Sequence, residues 1–260
     1  MVAPTLPPVN GGPVAWLDRP LGKAVTGEER RCLTELLAAH PPFPQALVVG
    51  AKDYRPLFDV VADRSRWWCL LVPASGEGLA GERGLQERPG GSVWGLPEQL
   101  PFPSGGLDLV VVVHALEFSR SPYQVVAEAV RTLAPGGRLV VFAFNPISLF
   151  GVGRSLGRQR RAEGGPWHGR FRSGLALRRM AESAGLSFEA SHYLMLRPPL
   201  KQAGALWATR FLEGIPFRQR LPVGGVVCLV ARKDEPGMTR LGPAFRAELQ
   251  RTPGRMVPNP

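Results

Sequence analysis

Residues 96–151, LPEQLPFPSGGLDLVVVVHALEFSRSPYQVVAEAVRTLAPGGRLVVFAFNPISLFG, constrain the chain more than any other stretch. Leu107–Val113 is β-branched and apolar almost throughout, as a strand buried on both faces of a sheet must be. Ser121-Pro122 then opens a helix whose Val125, Val126, Ala129, Val130 and Leu133 share one face. Pro135-Gly136-Gly137 ends it, and Arg138–Phe144 is a second apolar strand. Strand, helix and strand make one β-α-β unit, whose right-handed crossover sets the two strands parallel.

The flanking sequence supplies further units of the same kind. Ala46–Gly50 and Trp67–Val72 are short apolar runs separated by AKDYRPLFDVVAD, a turn and helix with Leu57, Phe58, Val60 and Val61 toward the sheet. Ser92–Trp94 is a third short strand, and the three prolines of Leu96–Pro103 favour an extended lip over the C-terminal edge of the sheet. Ser173–Ala184 is a helix ended by Gly185, Leu186–Leu196 a sixth strand, and Gly225–Arg232 closes the sheet. The expectation is an α/β fold, a Rossmann-like seven-stranded, mostly parallel sheet with helices on both faces.

At 260 residues one core suffices. Residues 1–25 read as a Pro/Gly-rich arm anchored by Trp16 and Leu17, residues 26–232 as the domain, with a helix starting at a Thr26 cap, and residues 233–260 as a disordered basic tail. Three cysteines without CxxC spacing exclude a disulfide framework and a zinc site, so no metal is expected. No apolar run approaches the ~18 residues of a membrane span, and no leader pattern opens the chain, which reads as cytoplasmic.

The net charge of +11 has two readings, a surface for polyanions or an Arg-rich background. Within 147–172, Arg154, Arg158, Arg160, Arg161, Arg170 and Arg172 face one acid, Glu163, and Trp167, His168 and Phe171 interleave with them. Such an insert suits RNA or a phosphate-bearing ligand, and equally a solvated loop. The excursion 197–224 carries a helix around Ala203–Leu212, and its Trp207, Phe211, Ile215 and Phe217 fit either a lid or core packing.

Ligands of open α/β sheets bind beyond the C-terminal ends of the strands. That edge carries His114, Glu117 and Asn145, the candidate catalytic residues. Two of them have a structural reading as well: His114 a satisfied hydrogen bonder, Asn145 a turn cap before Pro146. Gly76-Glu77-Gly78-Leu79-Ala80-Gly81 is a literal GxGxxG, but it follows the second strand and precedes a poor helix, so a surface loop is favoured. The same discount applies to Gly151, Gly153 and Gly157.

The string LPFPSGGLDLVVVVHALEF, the segment Glu128–Leu139 (EAVRTLAPGGRL) and Phe144-Asn145-Pro146 together resemble the class I S-adenosylmethionine-dependent methyltransferases of the type 11 group. HALEF with FNPISLFG is similar, more narrowly, to a proteobacterial subgroup. The resemblance implies a methyltransferase with S-adenosylmethionine as cofactor, an antiparallel seventh strand beside the fifth, and cofactor contacts from Gly50, Ala51, Asp53, Pro73, Ser75, Trp94, Leu96 and His114. It also exposes departures. Only Gly50 stands where the family has a glycine-rich turn, and Pro73 holds the place of the acid that meets the ribose, with Ser75 and Glu77 displaced into the loop. One lost charge-assisted contact costs about 1.5–3 kcal/mol, or about one to two decades of affinity. Trp94 can stack on adenine or pack in the core, and Asp53 or Glu77 can replace a contact or lie in solvent. The alternative function is a catalytically inactive relative that binds RNA or a protein partner.

Overall fold

The computed structural model describes residues 17–50, 55–73, 90–155, 167, 169–199, 203–209 and 222–234. In chain order the elements are α1 (Pro20–Ala38), β1 (Phe43–Val49), α2 (Arg55–Asp63), β2 (Ser65–Pro73), β3 (Gly90–Gly95), β4 (Leu107–Val113), α3 (Pro122–Thr132), β5 (Leu133–Phe144), α4 (Leu149–Ser155), α5 (Gly174–Ser183), β6 (Leu186–Leu194), α6 (Ala203–Ala208) and β7 (Val226–Lys233). The sheet runs β3-β2-β1-β4-β5-β7-β6. Strands β1 to β5 pair in parallel, whereas β7 is antiparallel to both β5 and β6.

Period-two alternation splits the central strands between two cores. Val48, Val111, Val113, Phe142, Phe144 and Cys228 pack beneath α1 and α2, with Leu33, Leu57 and Phe58 above them. Val49, Val110, Val112, Val141, Ala143 and Leu229 face the other way, toward Val125, Val126 and Ala129 of α3 and Leu177 and Met180 of α5. This is why LDLVVVV has no polar face: both of its faces are covered by helices. Among the described residues no helix is long and apolar enough to cross a membrane.

Three expectations change, besides the start of β5 at Leu133, ahead of the Pro135-Gly136-Gly137 read as the end of the helix. The first helix starts at Pro20, six residues before the Thr26 cap. Proline at the first helical position loses no hydrogen bond, and Thr26 is interior, its Oγ1 donating back to Gly22 O at 3.0 Å. The proposed arm boundary therefore falls inside α1; Leu17 is buried in the core as read, while Trp16 lies outside the described residues. The second change is α4, a short helix within the segment read as a basic surface insert. Its Phe150 is buried, and Gly151 presses on the turn before it. Third, β7 runs through Lys233, where the tail was expected to begin. The Lys233 ammonium donates to Val130 O and Leu133 O at 2.8 and 2.6 Å, closing the C-terminus of α3.

Candidate functional site at the C-terminal strand edge

The order of the strands reverses between the parallel neighbours β1 and β4, with β2 and β3 on one side and β5 on the other, and this is where a crevice opens in such folds. Gly50 follows β1 there. Its N–H donates to Leu71 O at 3.2 Å, and a Cβ on Gly50 would stand 3.1 Å from Val113 O and 3.2 Å from Val113 Cβ. Glycine thus lets the β1 turn lie directly against the last residue of β4.

His114 follows Val113 and takes a left-handed backbone, φ 50°. The residue is only 3% exposed, and its ring stacks on Phe144, with centroids 4.1 Å apart. Nδ1 lies 2.8 Å from Glu117 Oε1 and Nε2 lies 2.6 Å from Glu29 Oε1. Burial alone would lower the imidazole pKa. The flanking carboxylates of Glu29 and Glu117 outweigh it and raise the value to about 10. The raised value favours the imidazolium, in which both ring N–H groups donate and no lone pair is left to accept a proton. Burial raises the Glu29 carboxyl, against the opposing pull of His114.

Glu117 has a second duty. Its Oε1 accepts the Phe144 N–H at 2.8 Å, tying the turn after β4 to the end of β5. Asn145 does the same one strand further along: Nδ2 donates to Ile147 O, Pro222 O and Gly224 O at 2.9–3.0 Å, and Oδ1 accepts the Ile147 N–H. It caps the turn as its structural reading required, and it also holds the entry to β7. The three candidate catalytic residues are brought together as the buried wall of the edge. Glu29 joins them from α1, and no sequence signal pointed to it, because it lies 85 residues before His114.

The cofactor candidates divide. Trp94 and Leu96 stand at the end of β3, 44% and 46% exposed, so Trp94 is not a core aromatic. Pro73 ends β2 paired with Gly95 and offers no acid. Ala51, Asp53 and Ser75 lie outside the described residues, as do Glu77 and the GxGxxG.

The Leu96–Pro103 lip is held by the motif that follows it in sequence. Arg131 pairs with Glu128 through two 2.9 Å bonds and donates to Leu100 O and Phe102 O at 3.0 and 2.9 Å, while Glu128 Oε2 accepts the Leu100 N–H. The hydrogen bond from Arg131 is the main reason that the Glu128 carboxyl lies below its usual range. The E-x-x-R spacing is thus a clamp that places one turn of α3 against the lip. Replacing Arg131 with alanine strands two carbonyls and a carboxylate, and is expected to cost about 1–3 kcal/mol in urea unfolding.

The basic insert reads differently in three dimensions. Trp167 and Phe171 are buried, in a ring stack with Phe144 and Phe150. Arg154 donates to Trp167 O at 3.0 Å and lies 5.1 Å over the Phe171 ring. These aromatics fill the core because the apolar face of α4 requires a cover, and they are not free to stack on bases. Arg158, Arg160, Arg161 and His168 lie outside the described residues. Of the 197–224 excursion, Trp207 is 73% exposed and Leu206 is buried; Phe211, Ile215 and Phe217 lie outside.

A family model described as a methyltransferase domain matches residues 80–141. The uncharacterized protein YafS of Escherichia coli (strain K12) is 30% identical over 96 residues, a match that takes in 37% of this chain and 38% of YafS. An S-adenosylmethionine-dependent methyltransferase from Thermotoga maritima superposes with a TM-score of 0.58 at 17% identity, over 85% of this chain and 94% of that one. A chain from the complex of the Haloferax volcanii Trm112 methyltransferase activator with a methyltransferase gives the same score and identity, over 86% and 98%. The chain therefore has the Rossmann-like seven-stranded fold of these class I methyltransferases, with the methyltransferase-domain match lying across its central β-α-β unit.

Proposed function

We propose that this protein is an S-adenosylmethionine-dependent methyltransferase that binds its cofactor across the ends of β1, β2, β3 and β4. The observation that carries the reading is Gly50 seated against Val113 at the point where the strand order reverses. A side chain at position 50 would meet β4 instead of leaving bare backbone at the crevice. The described residues fit the two ends of the cofactor: Gly50 the methionine end, and exposed Trp94 and Leu96 the flat adenine face. Pro73 supplies no ribose contact, so that contact falls to the loop after it, where Ser75 and Glu77 are the nearest polar groups in sequence.

The cofactor supplies an electrophilic methyl group when bound. The chain's contribution is to hold an acceptor in line with it, through proximity and orientation. His114, Glu117 and Asn145 are committed to partners of the wall, so the reading assigns none of them as a base. An acceptor that needs no deprotonation by the protein, or one that loses its proton to water, is the matching chemistry. The narrower subgroup reading is supported by HALEF, by FNPISLFG and by the YafS match.

Calorimetric titration with S-adenosylmethionine and S-adenosylhomocysteine tests the proposal. Binding at micromolar to sub-millimolar ligand is expected. No heat at about millimolar ligand from folded protein would sink the reading and favour a non-catalytic relative. An RNA or phosphate-bearing ligand for that relative would have to be held by the arginines alone, since Trp167 and Phe171 are buried.

A further inference from the structure

Glu29 enters the strand edge from outside the β-α-β unit. It is fully buried on α1, and its Oε1 is 2.6 Å from His114 Nε2. The other ring nitrogen is held locally by Glu117, three residues on. A single local bond lets a ring swing with its own turn. The second bond, to a different element, fixes the ring in space. The turn needs that help, because a left-handed backbone is unfavourable for a residue with a Cβ and His114 adopts it at φ 50°. One residue earlier, Val113 touches the position where Gly50 has no side chain.

We infer that Glu29 is a positioning residue: through His114 it holds the left-handed turn after β4, and through Val113 it sets the backbone of Gly50. The consequence for cofactor affinity rests on the reading of Gly50 as part of the cofactor site; the positioning itself does not. Proton loss from His114 replaces one donating N–H with a lone pair facing a carboxylate, so the hold must fail when the ring deprotonates.

Among the described residues, the ionisable groups bonded to the ring are Glu29 on α1 and Glu117 on the turn. Cys228 on β7 senses both Cys32 and Glu29, and burial, followed by these neighbours, raises its thiol well above the ordinary value. Arg170 and Arg172 bond to Glu117 O and Phe144 O through their backbone N–H groups, and Glu28, beside Glu29, faces Arg197 at 3.8 Å. The other oxygens of Glu29 and Glu117 are buried with no hydrogen-bond partner among the described residues, so each carboxylate is committed to the imidazolium side.

The test is an NMR titration of the full chain with 15N-labelled histidine and glycine, following the His114 ring nitrogens and the Gly50 amide together. In the wild type both are expected to move with one midpoint near pH 10. In Glu29→Gln, which keeps the shape and an acceptor but loses the charge, both midpoints should fall together by about one unit or more. S-adenosylhomocysteine affinity should then drop about twofold or more at about pH 9, where a one-unit fall leaves half of the rings protonated, and recover at about pH 6, where the ring is protonated again. A Gly50 amide that stays still while the ring titrates overturns the inference, and so does a variant with wild-type affinity at both pH values. If the wild type binds no S-adenosylhomocysteine, the methyltransferase reading fails and the paired ring and amide titrations still decide the positioning. If Glu29→Gln does not fold, the wild-type titration decides alone.

Discussion

Replacing His114 with alanine is expected to cost the fold about 3–5 kcal/mol, because it leaves two buried carboxylates facing each other without the cation between them. The cost has three parts: the unpaired charges, the lost ring stack on Phe144, and a cavity under α1. Urea unfolding measures it, and a loss below about 1 kcal/mol would contradict an imidazolium at this position. The pH dependence has a definite sign. The His114 pKa is raised from 6.5 to about 10, so the native state binds the extra proton. Its stabilisation is complete below the unfolded value and is lost as pH rises through the folded one. Glu29, also raised, acts in the same direction. The melting temperature should therefore fall between about pH 7 and pH 10, and fall less steeply in the His114→Ala variant.

Gly151→Ala is expected to be the most damaging of the conservative substitutions, at about 3 kcal/mol or more. Its Cβ would stand 1.9 Å from Pro146 O and 2.5 Å from Pro146 C. Both atoms are backbone, so no rotamer change relieves the clash, and α4 must move away from the Asn145-Pro146 turn. That turn is held by four bonds from the Asn145 side chain, and Phe150 next door is locked between Phe144 and Trp167. Gly27→Ala is the matched control: it is also helical but has open space around it, and it should be neutral or gain up to about 1 kcal/mol. Thermal unfolding of the two variants side by side checks the contrast. A Gly151→Ala protein as stable as the wild type would mean that α4 packs elsewhere.

What could be read from the sequence followed how local its causes are. β4 occupies Leu107–Val113 as expected, since a run of β-branched residues has few alternatives. The α5 helix was equally legible, with Ser173 as its cap, accepting from Ala176 N–H. The α1 start was misread because a threonine followed by an acid three residues later looks like a cap whether or not the helix has already begun. Helix α4 was hidden because two glycines in seven residues argue against a helix, and the burial of Phe150 offsets them.

At the site, the fold placed His114, Glu117 and Asn145 at one edge, which the β-α-β reading anticipated. Their work was not legible. The partner of His114 sits on α1, and the acceptors of Asn145 lie just before β7. Side chains that join distant segments leave no periodic trace in either one. Trp167 and Phe171 show the reverse error, where aromatics among arginines suggested a binding surface and the stack with Phe144 and Phe150 claimed them for the core.

The antiparallel insertion of β7 has a consequence for how the chain is made. When synthesis has reached Phe144, β1 to β5 are available and β5 forms one margin of the growing sheet. The strand that covers that margin begins only at Val226, and β6, emerging earlier, attaches through β7 instead of directly to β5. A nascent chain thus carries Leu139–Phe144 as an apolar, hydrogen-bond-hungry border throughout the translation of the intervening segment. Such borders recruit other strands and holdase chaperones, and the long sequence separation of the β5–β7 pairing makes its closure a slow step.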